Sequence, residues 1–348
     1  MNEEQDILRS AAQEFIKRNI EPIALQIERA GIQKNLVLEL AAQGFLGAAP
    51  SEKLGGSGVS LTGYLAILEE FARVSPSLAV YLMITNSIVP SLLGEKNIRI
   101  LGEVFSGNKI ISVYINPALE GVPEPDMAKL SGTSLLGDLR NFILPGCDLF
   151  ITPESSSKSL YLVHSSPEVK SGRRSLSVRG LGVKDVHFNF NSSSFENLGK
   201  SISDLAETLD SLDAEVAAIL LGIARGAIEK VTNYVQVRTT FGQKLKDFGP
   251  VAYKIADLRT ELEVAENYIG NLESENLDPL KIKLKAVSLA KEAAKYSLQF
   301  HGGYGYFEDF GVELFYRDAI GIPLLFSNRN RDYQRLASRI FGSKSGFI

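Results

Sequence analysis

The run that opens near Asp213 and reads DAEVAAILLGIARGAIEKVTNYVQVRTT limits the possible folds more than any other part of the chain. Val216, Ala217, Ala218, Ile219, Leu220, Leu221, Ile223 and Ala224 follow one another with almost no polar interruption. On a helix these positions occupy nearly every face. Such a helix has to be covered on most sides, either at the centre of a bundle or by another subunit.

The rest of the chain supplies material for that cover. Residues 3 to 46 place apolar side chains at helical spacing, with Ile7, Leu8, Ala11, Phe15 and Ile16 on one face. LGGSG at 54 to 58 interrupts the pattern, and helical periodicity resumes from Thr62 to about Val74 and on through Ala79 to Leu93. Near Lys109 the period changes. IISVYI, KSLYLVHS and VKDVHFNF are short, β-branched and aromatic, and are separated by Gly, Pro, Ser and Asp clusters. Long helical segments return after Ser201, among them VAYKIADLRTELEVAENYIGNL and LKIKLKAVSLAKEAAKYSLQF. The expected class is therefore α+β: an N-terminal helical domain at 1–108, a small β domain at 109–200, and a C-terminal four-helix bundle at 201–348.

Charge and composition exclude several functions. With a net charge of −4 the chain has no global positive field to gather nucleic acid. The single cysteine, Cys147, permits no intrachain disulfide, and with only three histidines (His164, His187, His301) no spaced Cys/His zinc site is expected. The N-terminus MNEEQDILRSAAQEF is acidic and amphipathic, unlike a secretory signal, and no apolar run of membrane-spanning length stands out. A soluble, cytoplasmic protein without a structural metal is the expectation.

Three segments resemble the acyl-CoA dehydrogenase family, in the family's order. LELAAQGFLGAAPSEKLGGSGVSLTGYLAILEEFARVSPSLA is similar to its N-terminal GG-x-G turn followed by an acidic helix. YVQVRTTFGQKLKDFGPVAYKIADLRTELEVAE is similar to its R-x-x-FG segment, and SLQFHGGYGYFEDFGVELFYRDA to its Q-x-x-GG-x-G segment closing on Arg-Asp. The resemblance implies FAD as cofactor, with Arg238, Phe241, Gln299, Gly302 and Gly303 as its binding residues. A planar guanidinium at Arg238 suits a pyrophosphate, and in the family the matching arginine reaches the FAD of a neighbouring subunit. Gln299 can donate and accept toward the adenosine half, and glycines at 302 and 303 let backbone approach closely. His301, beside the glycine pair, is a further residue placed to touch the cofactor.

The same resemblance implies oxidation of an acyl-CoA thioester across its α and β carbons, electrons passing to an electron-transfer flavoprotein, and a homodimer or homotetramer. The family's catalytic glutamate follows the Arg-Asp segment. Here that stretch reads AIGIPLLFSNRNRDYQRL; the matching position falls within Phe326 to Asn328, where no carboxylate stands. An amide or hydroxyl cannot serve as the carbon base near neutral pH. The alternative family position on the earlier helix corresponds to Leu212. Asp213 and Glu215 are the carboxylates nearest to it, and are the candidate bases. Acidic residues at a helix start are also stabilised by the helix dipole alone. Two further possibilities remain open at this level: a non-catalytic subunit of a mixed oligomer with a base-bearing relative, and a flavin oxidase or monooxygenase on the same scaffold.

Overall fold

The computed structural model describes residues 3–116, 126–144, 146–170, 174–326 and 329–342. Helices α1 (Glu3–Phe15), α2 (Ala24–Ala30), α3 (Lys34–Ala42), α4 (Leu61–Val74), α5 (Pro76–Met83), α6 (Val89–Leu93) and α7 (Ile98–Phe105) open the chain. Strands β1 (Ile111–Val113), β2 (Lys129–Ser131), β3 (Ser134–Phe142), β4 (Leu149–Pro153), β5 (Ser159–Val163), β6 (Glu168–Val169), β7 (Lys184–Asn191) and β8 (Phe195–Ser201) follow. Then come α8 (Ile202–Ser211), α9 (Asp213–Val237), the two-residue strands β9 (Thr239–Thr240) and β10 (Gln243–Lys244), α10 (Gly249–Gly270), α11 (Pro279–His301), α12 (Glu313–Phe326) and α13 (Arg329–Phe341).

The chain divides into two compact units, each assembled from separated segments. One comprises Met1–Leu25, Leu61–Ala79 and Asp213–Ile348; the other comprises Gln26–Ser60 and Val80–Leu212. In the first unit α9 lies at the centre and packs against α11, α4, α10 and α12. Its apolar turns from Val216 to Ala224 are buried throughout, which answers the need for cover that its composition creates.

Two glycines allow α4 to approach. A Cβ on Gly222 would lie 2.3 Å from the Glu69 carbonyl oxygen and 2.7 Å from Ala72 Cβ. One on Gly226 would lie 2.3 Å from the Arg73 carbonyl oxygen and 2.7 Å from the Phe315 ring. Glycine inside a helix costs about 1 kcal/mol relative to alanine, so both positions trade local helix stability for interhelical contact.

Charges lie beside this contact. The carboxylates of Glu69 and Glu70 are buried on α4, and three arginines from three helices meet them. Arg9 donates to Glu69 (2.8 Å) and Glu70 (2.7 Å), Arg225 donates to Glu70 (2.7 Å), and Arg73 donates to Glu70 (3.2 Å). Arg225 also binds Glu266 of α10 at 2.8 Å. Burial, together with the nearby Glu69 carboxylate, pushes Glu266 up to about 7, against the pull of Arg225.

The second unit holds the β structure. One sheet runs β1-β4-β5-β8, with β1 and β4 parallel, and the other runs β2-β3-β7-β6, all antiparallel. Phe142, Phe150, Tyr161, Val186 and Phe188 belong to one apolar core that draws on both sheets. Phe150 meets Phe142 edge-on at 5.5 Å and Phe188 at 5.1 Å, offset and tilted geometries that aromatic pairs prefer. His187 lies on β7 against Asp138, and His164, which directly follows β5, meets Glu196.

One expectation needs correcting. Pro76–Leu93 is long and apolar enough to cross a membrane by length and composition, although the sequence reading found no such run. Of that stretch 89% is buried inside the protein, as befits a core segment.

Two outcomes follow from the bundle. Gly222→Ala should lower stability by about 1–3 kcal/mol through overpacking, read from urea unfolding midpoints; an unchanged or stabilised variant would contradict the close approach. Glu266, with a folded-state value above the ordinary 4.5, contributes stability in full below about pH 4.5, and this is lost as pH rises through about 7. The unfolding free energy of Glu266→Gln should therefore gain on the parent protein between pH 5 and 8, whereas a constant difference would remove this titration from the account.

Candidate active site

The residues expected to hold a cofactor gather at the C-terminal ends of α9 and α11, both within the bundle unit. After Val237 the chain turns through Arg238 into the β9–β10 hairpin, whose two loop residues, Phe241 (φ 48°) and Gly242 (φ 82°), are left-handed as a tight hairpin of this kind requires. Glycine meets that requirement without strain, but phenylalanine does not. Phe241 is nonetheless 95% exposed, so its ring is held away from the protein at a backbone cost. The Arg238 carbonyl accepts from the Leu245 N–H (2.9 Å), which closes the hairpin.

The end of α11 meets this hairpin from the side. The Arg238 guanidinium lies 5.7 Å from the centre of the Tyr304 ring, within cation–π range. Gln299 is exposed on the last turn of α11, and Gly302 (φ 58°) ends the helix. A Cβ at Gly302 or Gly303 would meet no atom within 4 Å, so the surface beside both glycines is open to an approaching group. Arg238, Phe241, Gln299, Gly302 and Gly303 are thus brought to one end of the bundle.

His301 has a different place. It is buried, its ring stacks on Tyr234 at 4.3 Å, and its Nδ1 hydrogen-bonds the Ser297 carbonyl at 2.7 Å. Burial holds its pKa below the ordinary value, with the Lys230 charge adding to the effect and the Ser297 contact opposing it. His301 therefore braces α11 against α9 as a neutral ring. Neither Tyr234 nor Tyr304 was singled out from the sequence; each stands at helical or turn spacing from a residue that was.

The candidate bases lie at the other end of α9. Asp213 is its first residue and is 3% exposed. Lys283 Nζ approaches it at 2.7 Å, and Arg335 donates to both of its oxygens at 2.8 and 3.1 Å. Lys283 and Arg335 also hold Asp332 at 2.8 and 3.3 Å. Two buried carboxylates and two cations from α9, α11 and α13 thus form one closed network. Both oxygens of Asp213 are thereby occupied by cations.

Glu215 is also buried, two residues along on the same first turn. Phe326 ends α12 and is buried; Ser327 and Asn328 lie outside the described residues. Glu313 pairs with Arg317 at 3.1 Å. Sequence reasoning missed Lys283, although the helical stripe Lys283, Ala286, Ala290, Ala293, Ser297, all buried, marks its position as inward.

The sequence model of the acyl-CoA dehydrogenase N-terminal domain matches residues 2–95, and that of the C-terminal domain matches residues 204–325. The chain belongs to the acyl-CoA dehydrogenase family. It is 28% identical to the caffeyl-CoA reductase-Etf complex subunit CarC of Acetobacterium woodii, over 91% of this chain and 93% of that protein. It is 26% identical to a short-chain-specific acyl-CoA dehydrogenase of Clostridium acetobutylicum, over 92% and 93%. Among solved structures, glutaryl-CoA dehydrogenase of Mycobacterium smegmatis in complex with FADH2 superposes with a TM-score of 0.83 at 16% identity, covering 100% of this chain and 97% of that one. That likeness carries the fold: helices, a β domain and a helical bundle, as expected for an acyl-CoA dehydrogenase.

Within this family member the quartet ties α13 to the core, since Asp332 is the only residue of α13 that is buried. Lys283→Met would leave two buried carboxylates facing one guanidinium. The expected loss is about 3–5 kcal/mol in urea unfolding. A loss no larger than that for Lys281→Met, at an exposed position on the same helix, would show that the quartet does not hold α13.

Proposed function

We propose that this chain is a FAD-dependent acyl-CoA oxidoreductase that exchanges electrons with an electron-transfer flavoprotein. The observation that carries this reading is the face at the ends of α9 and α11. There a strained, exposed Phe241 stands beside Arg238 and Tyr304, and the surface at Gly302 and Gly303 is open. Those groups fit a flavin dinucleotide: Arg238 toward the pyrophosphate, Phe241 packing on the cofactor, Gln299 toward the adenosine half, and the two glycines admitting it closely. When bound, FAD supplies the acceptor for the hydride from the substrate β-carbon. In this reading the chain is organised as a helical domain at 1–108, a β domain at 109–200 and a helical bundle at 201–348, and the protein works in the cytoplasm.

The geometry of α9 bears on assembly. From Glu215 to Arg238 the chain advances 23 residues, about 35 Å at 1.5 Å per residue. One flavin ring cannot be served by both ends of that helix. Arg238 and Phe241 therefore act on the FAD of a second copy, and a dimer or a larger oligomer completes the site. Tyr306 and Phe307, exposed at 81% and 58%, enlarge the apolar face such a copy would cover.

The α-proton of the thioester needs an acceptor. Glu215, a buried carboxylate on the first turn of α9, takes that role in this reading; Asp213 is engaged by Lys283 and Arg335. The same engagement favours a second reading, a non-catalytic subunit that lends Arg238 to a base-bearing relative in a mixed oligomer.

Anaerobic titration of the FAD-loaded protein with acyl-CoAs of graded chain length separates the two. Flavin bleaching that Glu215→Gln abolishes would support the enzyme, while a parent protein that never bleaches would support the lending subunit. Arg238→Ala should weaken FAD retention by about tenfold or more, as loss of a charge-assisted contact would. Flavin content equal to that of the parent would remove Arg238 from the cofactor site.

A further inference from the structure

Arg238 carries a charge that no carboxylate answers. Among the described residues it makes no ion pair, and the group that meets its guanidinium is the Tyr304 ring, 5.7 Å away at its centre. An aromatic face attracts a guanidinium through its quadrupole without neutralising it, so the cation stays available to an anion.

The ring is itself held. Phe310 packs on Tyr304 with ring centres 4.9 Å apart and planes tilted by 47°. The Tyr304 carbonyl accepts from the Phe307 N–H (3.4 Å), and the Phe307 carbonyl accepts from the Phe310 N–H (3.3 Å). Gly305, next to Tyr304, is buried, and a Cβ there would lie 2.7 Å from the Leu298 carbonyl oxygen and 3.3 Å from His301 Cβ. The turn that carries Tyr304 therefore sits against the last turn of α11 with no room for a side chain between them. Arg238 is exposed and directly follows α9. A long side chain loses rotamer freedom when it binds a ligand, and a ring that holds it beforehand lowers that cost.

We propose that Tyr304 is a positioning residue for Arg238: its ring on the anchored turn holds the guanidinium, uncommitted to any carboxylate, ready for the pyrophosphate of FAD. This role rests on the flavin reading above. Tyr304 acts through the arginine and needs no contact of its own with the flavin.

FAD is titrated into the flavin-free full chain, followed by flavin fluorescence, for the parent, Tyr304→Phe, Tyr304→Leu, Arg238→Ala and the double variant Tyr304→Leu/Arg238→Ala. Tyr304→Leu should weaken FAD binding about two- to fivefold, the size of an exposed cation–π contact, and Tyr304→Phe, which keeps the ring, should restore the parent affinity. In the Arg238→Ala background Tyr304→Leu should cost nothing further, because the group it positions is gone. Parent-like affinity of Tyr304→Leu beside a loss in Arg238→Ala would remove the positioning role alone, as would an equal loss from Tyr304→Leu in both backgrounds. Parent-like affinity of Arg238→Ala would remove the cofactor reading and this role with it. The contact itself is read without flavin: the Arg238 Nε–H resonance, assigned by its loss in Arg238→Ala, should move on Tyr304→Leu and move less on Tyr304→Phe. A resonance that does not respond to Tyr304→Leu would overturn the proposal whatever FAD does.

Discussion

The approach of α9 to α4 governs the bundle. At Gly222 and Gly226 the α4 backbone lies where side chains would otherwise stand, and Glu69 and Glu70 are thereby carried into the interior. Buried carboxylates need partners, and Arg9, Arg73 and Arg225 provide them from α1, α4 and α9. Without these cations Glu69 and Glu70 would stand as uncompensated charges in the centre of the helices. The contact is thus both a packing constraint and an electrostatic one, and it draws the N-terminal helix α1 into the same unit as residues beyond 213.

The two ends of α9 serve different chemistry. At its start the helix dipole favours anions, and Asp213 and Glu215 are both there. Lys283 and Arg335 consume the charge of Asp213 in a network that fixes α13, a helix with little apolar surface to bury. At its end the helix gives way to a hairpin whose left-handed phenylalanine faces outward. Strain of that kind persists where the surrounding structure enforces it, and here the hairpin hydrogen bonds and the Arg238–Tyr304 contact do so.

Period and composition determined much by themselves: the apolar α9, the β character between Ile111 and Ser201, the missing glutamate after Asp318, and the family of the chain through three ordered segments. These are local or pattern-level properties, fixed by side-chain spacing and by which residue types are present. Tertiary structure alone decided which carboxylate is engaged. Asp213 and Glu215 are two residues apart and chemically alike in the sequence, and nothing in it foretells that Asp213 meets Lys283 from α11 and Arg335 from α13, 70 and 122 positions away. Burial of a lysine among alanines and the bracing of His301 on Tyr234 are likewise products of distant segments brought together, and no local pattern encodes a partner that far along the chain.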